Sequence, residues 1–201
     1  MCGRYYAGGD FAEKLRDIME EEDIEAAEPV YDKAGQDVFP SDPSTVIRGG
    51  EGALLAENMQ WGYRVPNGSG LIINARAETA KEKKMFSDSV RNRRCVIPAS
   101  GFYEWDKYKT KYRFTLPDSG LILLAGFYRD EEDGRRYTIL TTEANDSMKP
   151  VHGRMPLMIG RDEIRPWISD DGKLDGFLER PQIPLVCEQA SGQIGMDLGA
   201  L

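Results

Sequence analysis

Four residues of the chain combine a reactive side chain with a position next to a strand-like, apolar run. They are Cys2 in CGRYY, Asn74 after Leu-Ile-Ile, Glu104 in GFYEW and His152 in KPVHGRMP. A thiol, an amide, a carboxyl group and an imidazole together supply a nucleophile, a hydrogen-bonding group and two proton carriers. Spacing along the chain does not show that the four meet, so their meeting is a hypothesis about the fold.

Cys2 gains a second reactive group if the initiator methionine is removed, which a small second residue normally permits. It then carries an α-amine and a thiol on adjacent carbon atoms. An aldehyde condenses with such an amine to an imine, and the thiol closes on the same carbon to give a five-membered thiazolidine ring. A cysteine also occurs in second place by chance, so position alone does not establish this chemistry.

Glu104 and His152 are the two candidates for proton transfer. Glu104 lies between Tyr103 and Trp105, so we expect its carboxyl group to be partly desolvated, an environment suited to a proton carrier. His152 is the only histidine of the chain and lies two residues before Arg154. It is either a proton donor or a residue that only completes the end of a strand.

Composition excludes several classes of protein. The chain has 201 residues, 40% of them hydrophobic and 30% charged, which is typical of a single soluble domain. No apolar run is long enough for a membrane span, and the first residues do not form a secretory signal. Three distant cysteines, one histidine and the lack of a C-x-x-C pair argue against disulfides and structural zinc. Without G-x-G-x-x-G or Walker A motifs, no cofactor is expected, and the expected location is the reducing cytoplasm.

Charge is unevenly distributed along the chain. The net charge is −8, but residues 76–113 contain eleven Lys/Arg and five acidic residues, a local net charge of +6. Such runs are usually solvated surfaces. A basic surface on an acidic protein is also compatible with a short phosphate backbone held in one groove.

Hydrophobic patterning predicts an α+β fold with a barrel-like, mainly antiparallel β core flanked by short helices. The predicted helices cover 10–22, with Asp10 as N-cap, then 77–92, with Phe86 and Val90 inward, and parts of RDEIRPWIS and KLDGFLER. The predicted strands include KYRFTLPD, GLILLAGFYRD and RRYTILTTEA, the last two joined by a DEEDG hairpin loop.

Five sequence blocks, in the order MCGRYY, NARAET, RCVIPASGFYEW, TTEAN and HGRMP, resemble the signature blocks of the SOS-response-associated peptidase (SRAP) family. They extend from residue 2 to about residue 159. The resemblance implies a single domain over 1–201, with C-terminal helices and a tail at 160–201, built round a barrel-like antiparallel sheet. It also implies a monomer of the DNA damage response that binds single-stranded DNA and covalently traps abasic sites through its N-terminal cysteine.

The resemblance further implies a role for each matching residue. Cys2 would be the crosslinking nucleophile after loss of Met1, and Asn74 would hold its backbone and amine. Glu104 would relay protons as the amine attacks, and His152 would assist opening of the deoxyribose ring. The family's DNA-contacting positions match Arg4, Arg76 and Arg154, which would bind phosphates, and Trp61, which would contact bases or support the surface. The stretch after Trp61 is shorter than in many members and has no second tryptophan.

An N-terminal cysteine suits an aldehyde substrate. An α-amine has a pKa of about 7.7–8.0, so part of it is neutral in the cell, whereas a lysine with a pKa of about 10.4 is mostly protonated. Sulfur then converts the reversible imine into a durable ring. Three alternatives remain open: a thiol peptidase with Glu104 or His152 as base, an abasic-site lyase that cleaves DNA through the imine, and a non-catalytic reader of modified or single-stranded DNA.

Overall fold

The computed structural model describes residues 2–27, 29, 35–66 and 68–190. Within this part of the chain, strands predominate and the longest helix has 11 residues. The strands are β1 (Tyr5–Ala7), β2 (Ile24–Ala26), β3 (Gln36–Val38), β4 (Pro43–Gly49), β5 (Leu54–Trp61), β6 (Tyr63–Arg64), β7 (Leu71–Ile72), β8 (Asn74–Arg76), β9 (Arg94–Ala99), β10 (Gly101–Trp105), β11 (Lys111–Thr115), β12 (Ile122–Glu131), β13 (Gly134–Glu143), β14 (Arg154–Pro156), β15 (Met158–Ile159) and β16 (Val186–Gln189). The helices are α1 (Phe11–Glu21), α2 (Ala77–Ala80), α3 (Ser87–Asn92), α4 (Ile164–Ser169) and α5 (Leu174–Glu179), with 3-10 turns at Arg161–Glu163 and Asp171–Lys173.

Five strands close into a barrel. Strands β13, β12, β9, β4 and β5 are neighbours in that order and pair antiparallel. The ring closes where β5 pairs in parallel with β13, through Gln60 opposite Arg136 and Trp61 opposite Tyr137. Because closure leaves no free edge between these strands, the barrel is a rigid base for the segments attached to its ends. The predicted α+β class with a barrel-like, mainly antiparallel core is therefore confirmed.

A second, five-stranded antiparallel sheet contains the N-terminal segment. Its strand order is β16, β11, β10, β1 and β3. Tyr5, Phe102 and Phe114 follow one another across it in register, and all three are buried. Side chains of a strand alternate between faces, so Tyr6 and Tyr103 lie on the opposite face. The sheet thereby turns one side toward the core and leaves the other partly exposed.

Two apolar clusters hold these layers together. One joins the buried face of the five-stranded sheet to the barrel, and it contains Cys2, Tyr5, Trp61 and Ile97. The other fills the space between the barrel and the helices, and Trp167 of α4 is among its members. The aromatic residues of both clusters bury large apolar areas, which is the main contribution to stability in a core of this kind.

The helices differ from the sequence prediction in two respects. Asp10 occupies the N-cap position of α1 as predicted, but its carboxylate pairs with Lys14 Nζ at 2.6 Å and makes no capping hydrogen bond. The expected helix over 77–92 is split into α2 and α3. In a continuous helix of about 100° per residue, Phe86 would point roughly 180° away from Ala77. Both residues are buried, so the chain turns between the two helices.

The remaining local predictions agree with the structure. Phe86 and Val90 point inward, the two C-terminal helices are present, and β12 and β13 form the expected hairpin, whose pairing ends at Glu131 opposite Gly134. None of the helices in the described ranges has the length and apolar character needed to cross a bilayer. Met1 and the tail 191–201 lie outside the described residues.

Candidate functional site

Cys2 and Asn74 meet at the end of the barrel. Asn74 Nδ2 donates a hydrogen bond to the backbone oxygen of Cys2 at 2.8 Å. Asn74 is the first residue of β8, which pairs in parallel with β13, and it lies opposite Ile139. Cys2 is only 1% exposed. Two of the predicted site residues, 72 positions apart in the sequence, are therefore in direct contact.

The other side-chain atom of Asn74 has an unused hydrogen-bonding capacity. Asn74 Oδ1 is buried and has no hydrogen-bond partner among the described residues. Buried polar atoms are nearly always hydrogen-bonded, because an unpaired one loses its hydration without compensation. Asn74 Oδ1 belongs to the same amide group whose Nδ2 binds the Cys2 carbonyl. A hydrogen-bond donor on Cys2 would therefore satisfy Asn74 Oδ1.

Glu104 lies close enough to Cys2 to affect its titration. The pKa of the Cys2 thiol is raised to about 12, first by burial and then by the negative charge of Glu104. Glu104 lies on the buried side of β10 with 5% exposure, and its Oε1 accepts a hydrogen bond from Trp105 N at 3.3 Å. At neutral pH the thiol is therefore protonated and has a carboxyl group as a near neighbour.

His152 lies in the connection between β13 and β14. Its Nδ1 is 3.0 Å from Arg154 N and 3.1 Å from Arg154 O, so the neighbouring backbone fixes the ring. Strand β13 links this segment to Asn74: it pairs with β8 through Ile139–Thr141 and with β14 through Thr141–Glu143. His152 and Asn74 thus belong to segments that pair with the same strand.

Arg4 lies at the surface among aromatic rings. Its guanidinium is 4.5 Å from the ring centre of Phe39 and 5.3 Å from that of Trp105, and it pairs with Asp37 at 3.4 Å. Phe39 is 42% exposed. Cations beside exposed rings are typical of single-stranded nucleic-acid surfaces. Sequence reasoning missed both rings, although strand alternation places Trp105 on the face opposite Glu104.

Arg76 and Arg154 flank Thr141 of β13, but they differ in how they are paired. Arg154 makes a two-pronged ion pair with Glu78, with Nη1–Oε1 at 2.5 Å and Nη2–Oε2 at 2.9 Å. Arg76 is opposite Thr141 in the β8–β13 register and is exposed. It lines a cleft of about 520 Å³ together with Asn74, Lys83 and Lys84.

Trp61 does not lie at the surface. It is fully buried, its indole N–H donates to Ile73 O at 3.0 Å, and its ring is parallel to that of Tyr137 at 6.4 Å. The ring also contacts Tyr5 at 5.2 Å. The expected contact of Trp61 with bases is thus corrected, because no ring face is available to a base. Supporting the site from beneath, the other expected role, is compatible with this position.

The basic stretch 76–113 is not one surface. Arg76, Lys83 and Lys84 line the cleft beside Asn74, whereas Lys111 and Arg113 lie on the five-stranded sheet. Arg94 is 2% exposed and bonds to Trp167 O at 2.5 Å and Asp171 at 2.7 Å. The cations of this stretch therefore lie on different elements, and at least Arg94 is buried and is not part of a surface groove.

The sequence model of the family "SOS response associated peptidase (SRAP)" matches residues 1–191. The chain belongs to the SRAP family. Within the described residues, no group of three or more His, Cys, Asp or Glu side chains could hold a metal ion.

Relatives of this SRAP chain are named for a DNA lesion. It is 32% identical over 200 residues to the "abasic site processing protein YoaM" of Bacillus subtilis, covering 92% of this chain and 86% of the relative. It is 33% identical over 195 residues to YoqW of the same organism, which has the same description, covering 89% and 85%. These matches confirm the family resemblance drawn from the five sequence blocks.

Solved structures share the SRAP chain's fold. A phage-related protein from Bordetella bronchiseptica superposes with a TM-score of 0.77 at 19% identity, covering 96% of both chains. A second protein from that organism gives a TM-score of 0.74 at 23% identity, covering 94% of this chain and 99% of the other. At these identities the likeness supports the fold alone.

Proposed function

We propose that this SRAP-family protein binds single-stranded DNA and captures abasic sites covalently through Cys2 after removal of Met1. The observation that carries the proposal is the Asn74 side chain, which holds the Cys2 carbonyl and leaves a buried acceptor beside it. An α-amine on Cys2 is a donor suited to that acceptor. The relatives named as abasic site processing proteins supply the substrate class.

The reaction forms two bonds to one sugar carbon. The amine attacks C1 of the ring-opened deoxyribose, and loss of water from the carbinolamine gives an imine. The thiol of Cys2 then adds to the same carbon, its proton passes to the nitrogen, and a thiazolidine results with one water released overall. Glu104, next to the thiol, carries protons between the amine, the departing oxygen and the sulfur.

His152 acts on the sugar rather than on the protein nucleophile. An abasic deoxyribose is mostly a closed hemiacetal, and its aldehyde appears only when the ring opens. When Arg154 N–H donates to Nδ1 of His152, the ring proton is on Nε2. That N–H donates to the sugar ring oxygen and promotes opening.

The DNA strand is held by charge and stacking because the lesion has no base edge to read. Arg4, with the rings of Phe39 and Trp105, contacts one side of the lesion. Arg76 and the two lysines of the cleft beside Asn74 contact phosphates on the other side. Binding of this kind is tolerant of sequence and weakens with salt.

The environment of the Cys2 thiol favours this proposal over a thiol peptidase. A peptidase nucleophile needs a thiolate at neutral pH, whereas burial and the charge of Glu104 hold the pKa of Cys2 at about 12. Attack by the amine does not need the thiolate. The protonated thiol is required only later, for ring closure on an activated imine.

The test is a denaturing gel of protein incubated with single-stranded DNA that carries one abasic site. We expect a shifted covalent band for the wild type, none for Cys2→Ala, and an unchanged band for Cys187→Ala, which removes an exposed cysteine far along the sequence. The Cys2→Ala result holds without a reductant. Cys2→Ala and Cys2→Ser both keep the α-amine and lack sulfur, so each should give a band only after reductive trapping of the imine.

Other outcomes separate the alternatives. Cleaved DNA without a shifted band would support a lyase, and binding without any covalent product would support a reader. Intact mass of the purified protein must show loss of Met1, because protein that retains Met1 yet crosslinks would contradict the role of the amine.

A further inference from the structure

The Glu78–Arg154 ion pair uses the part of the arginine that would grip a phosphate. A guanidinium binds carboxylates and phosphates through the same pair of parallel N–H groups. Here Nη1 and Nη2 both donate to Glu78, at 2.5 Å and 2.9 Å. Nη2 also donates to Thr141 O at 2.5 Å, and Nε is buried. Both terminal nitrogens of Arg154 are therefore committed within the protein, whereas Nε has no hydrogen-bond partner among the described residues.

Glu78 is the partner that can leave. Its side chain is 47% exposed, whereas that of Arg154 is 18% exposed. Of the two partners, the half-exposed carboxylate is the one that water can solvate after separation. The bonds to Thr141 do not involve Glu78, so they keep the guanidinium in place after the carboxylate moves away.

Two further features favour exchange. A cleft of about 590 Å³ adjoins Glu78, so a displaced carboxylate has space to enter. Its two lysines, Lys81 and Lys149, are paired with Asp175 and Glu143. Arg76 also acts on Glu78, because its positive charge contributes to lowering the pKa of that carboxyl group, after the hydrogen bond from Arg154. Departure of Glu78 would thus leave two guanidinium groups beside Thr141 without their common counter-ion.

We propose that Glu78 is a displaceable counter-ion that occupies the phosphate-binding edge of Arg154 in the free protein, and that a DNA phosphate takes its place on binding. This inference rests on the proposed function, since it assigns Arg154 to phosphate binding. Glu78 then lowers the affinity of Arg154 for phosphate, because a phosphate must displace the carboxylate. A phosphate that makes no other contact with the protein binds too weakly to do so. Glu78 thereby selects a strand already held at Arg4 and the cleft beside Asn74 over isolated anions.

The first test measures reversible binding of single-stranded DNA without an abasic site, by fluorescence anisotropy over a range of salt. Glu78→Gln should bind this DNA roughly fivefold tighter. The slope of the logarithm of the binding constant against the logarithm of salt concentration should be steeper by about 0.7, because the phosphate at Arg154 no longer has to replace a carboxylate. Glu143→Gln is the matched control: it removes the same charge from the same cleft, but its partner is Lys149 at 3.8 Å. It should change affinity less than about twofold and leave the slope unchanged.

A second measurement makes the inference independent of DNA. Inorganic phosphate should raise the melting temperature of Glu78→Gln more than that of the wild type or Glu143→Gln. Equal effects of phosphate on the three proteins would overturn the inference. So would equal DNA affinities of the two variants, or weaker binding by Glu78→Gln, since the carboxylate would then only orient Arg154. Absence of DNA binding by all three would instead refute the proposed function, and the phosphate titration would still decide the role of Glu78.

Discussion

Asn74 holds Cys2 by its backbone: the amide Nδ2 is 2.8 Å from the Cys2 carbonyl oxygen, and the side chain's other polar atom is buried next to it. One residue can therefore fix both ends of a terminal cysteine, its carbonyl and its amine. The position of Asn74 is in turn fixed by parallel pairing of β8 with β13. The placement of Cys2 therefore depends on a long-range contact as well as on its local sequence.

Asn74→Ala removes the hydrogen bond between the Asn74 side chain and the Cys2 carbonyl oxygen. We expect crosslinking to abasic single-stranded DNA to slow about tenfold, because loss of one hydrogen bond costs roughly 1–1.5 kcal/mol. The rate is followed by quenched time points on a denaturing gel. Asn92→Ala is the control, since Asn92 bonds to Asp88 on the exposed helix α3. Equal rates for both variants and the wild type would mean that Asn74 does not position the nucleophile.

The buried thiol predicts a stability that falls at alkaline pH. The pKa of Cys2 is raised from 9.0 to about 12 on folding, chiefly by burial. Its contribution is therefore fully present below pH 9 and is lost as the pH rises toward 12, by about 1.4 kcal/mol per pH unit. Urea unfolding at several pH values above 9 measures the slope. Cys2→Ala should flatten it relative to Cys187→Ala, and parallel slopes would show that the folded thiol titrates normally.

Arg4→Gln tests whether the half-buried Arg4 guanidinium binds phosphate. We expect weaker binding of single-stranded DNA and a log–log salt slope reduced by about 0.7, the value for loss of one phosphate contact on a single strand. Arg16→Gln makes the same change of charge on α1, where Arg16 donates to Ala12 O of its own helix at 3.1 Å. A similar loss in both variants would indicate a general effect of net charge.

Trp61→Phe tests whether Trp61 supports the fold from within or contacts DNA bases. The change removes the indole N–H bond to Ile73 O and part of a buried ring, so unfolding free energy should fall by about 1–3 kcal/mol. Affinity of the folded variant for single-stranded DNA should stay the same. Trp105→Ala should show the reverse, with affinity lowered by about 1–3 kcal/mol through lost stacking. Weaker DNA binding by a Trp61→Phe protein of normal stability would contradict the assignment.

Much of the architecture could be predicted because it depends on local patterns. The β12–β13 hairpin follows from two apolar runs around DEEDG, and α1 follows from Phe11, Leu15 and Ile18 at helical spacing. The ordered sequence blocks identified the family and pointed to Asn74 and Glu104, which interact with Cys2 in the fold. Motifs of this kind contain information on distant contacts that periodicity lacks.

Pairing and burial of charged and aromatic residues could not be predicted in the same way. A run of cations in the sequence does not show which of them has a partner elsewhere, and Arg94 and Arg154 both have one. Trp61 and Phe39 are both aromatic residues near turns, yet one is buried and the other exposed, because the outcome depends on which sheet covers them. Such differences are decided by tertiary packing.

Strand β13 also determines which loops can accept insertions without displacing Asn74 and Arg154. Asn74 and Arg154 are separated by 80 positions of sequence but are spaced by hydrogen bonds to one strand, so the distance between them does not depend on the intervening loops. Insertions in the turns at 106–110 or 131–134 would lengthen only those turns and would not shift Asn74 or Arg154. A one-residue change in the register of β13 would displace Asn74 and Arg154 together. The placement of both residues therefore depends on the register of this one strand.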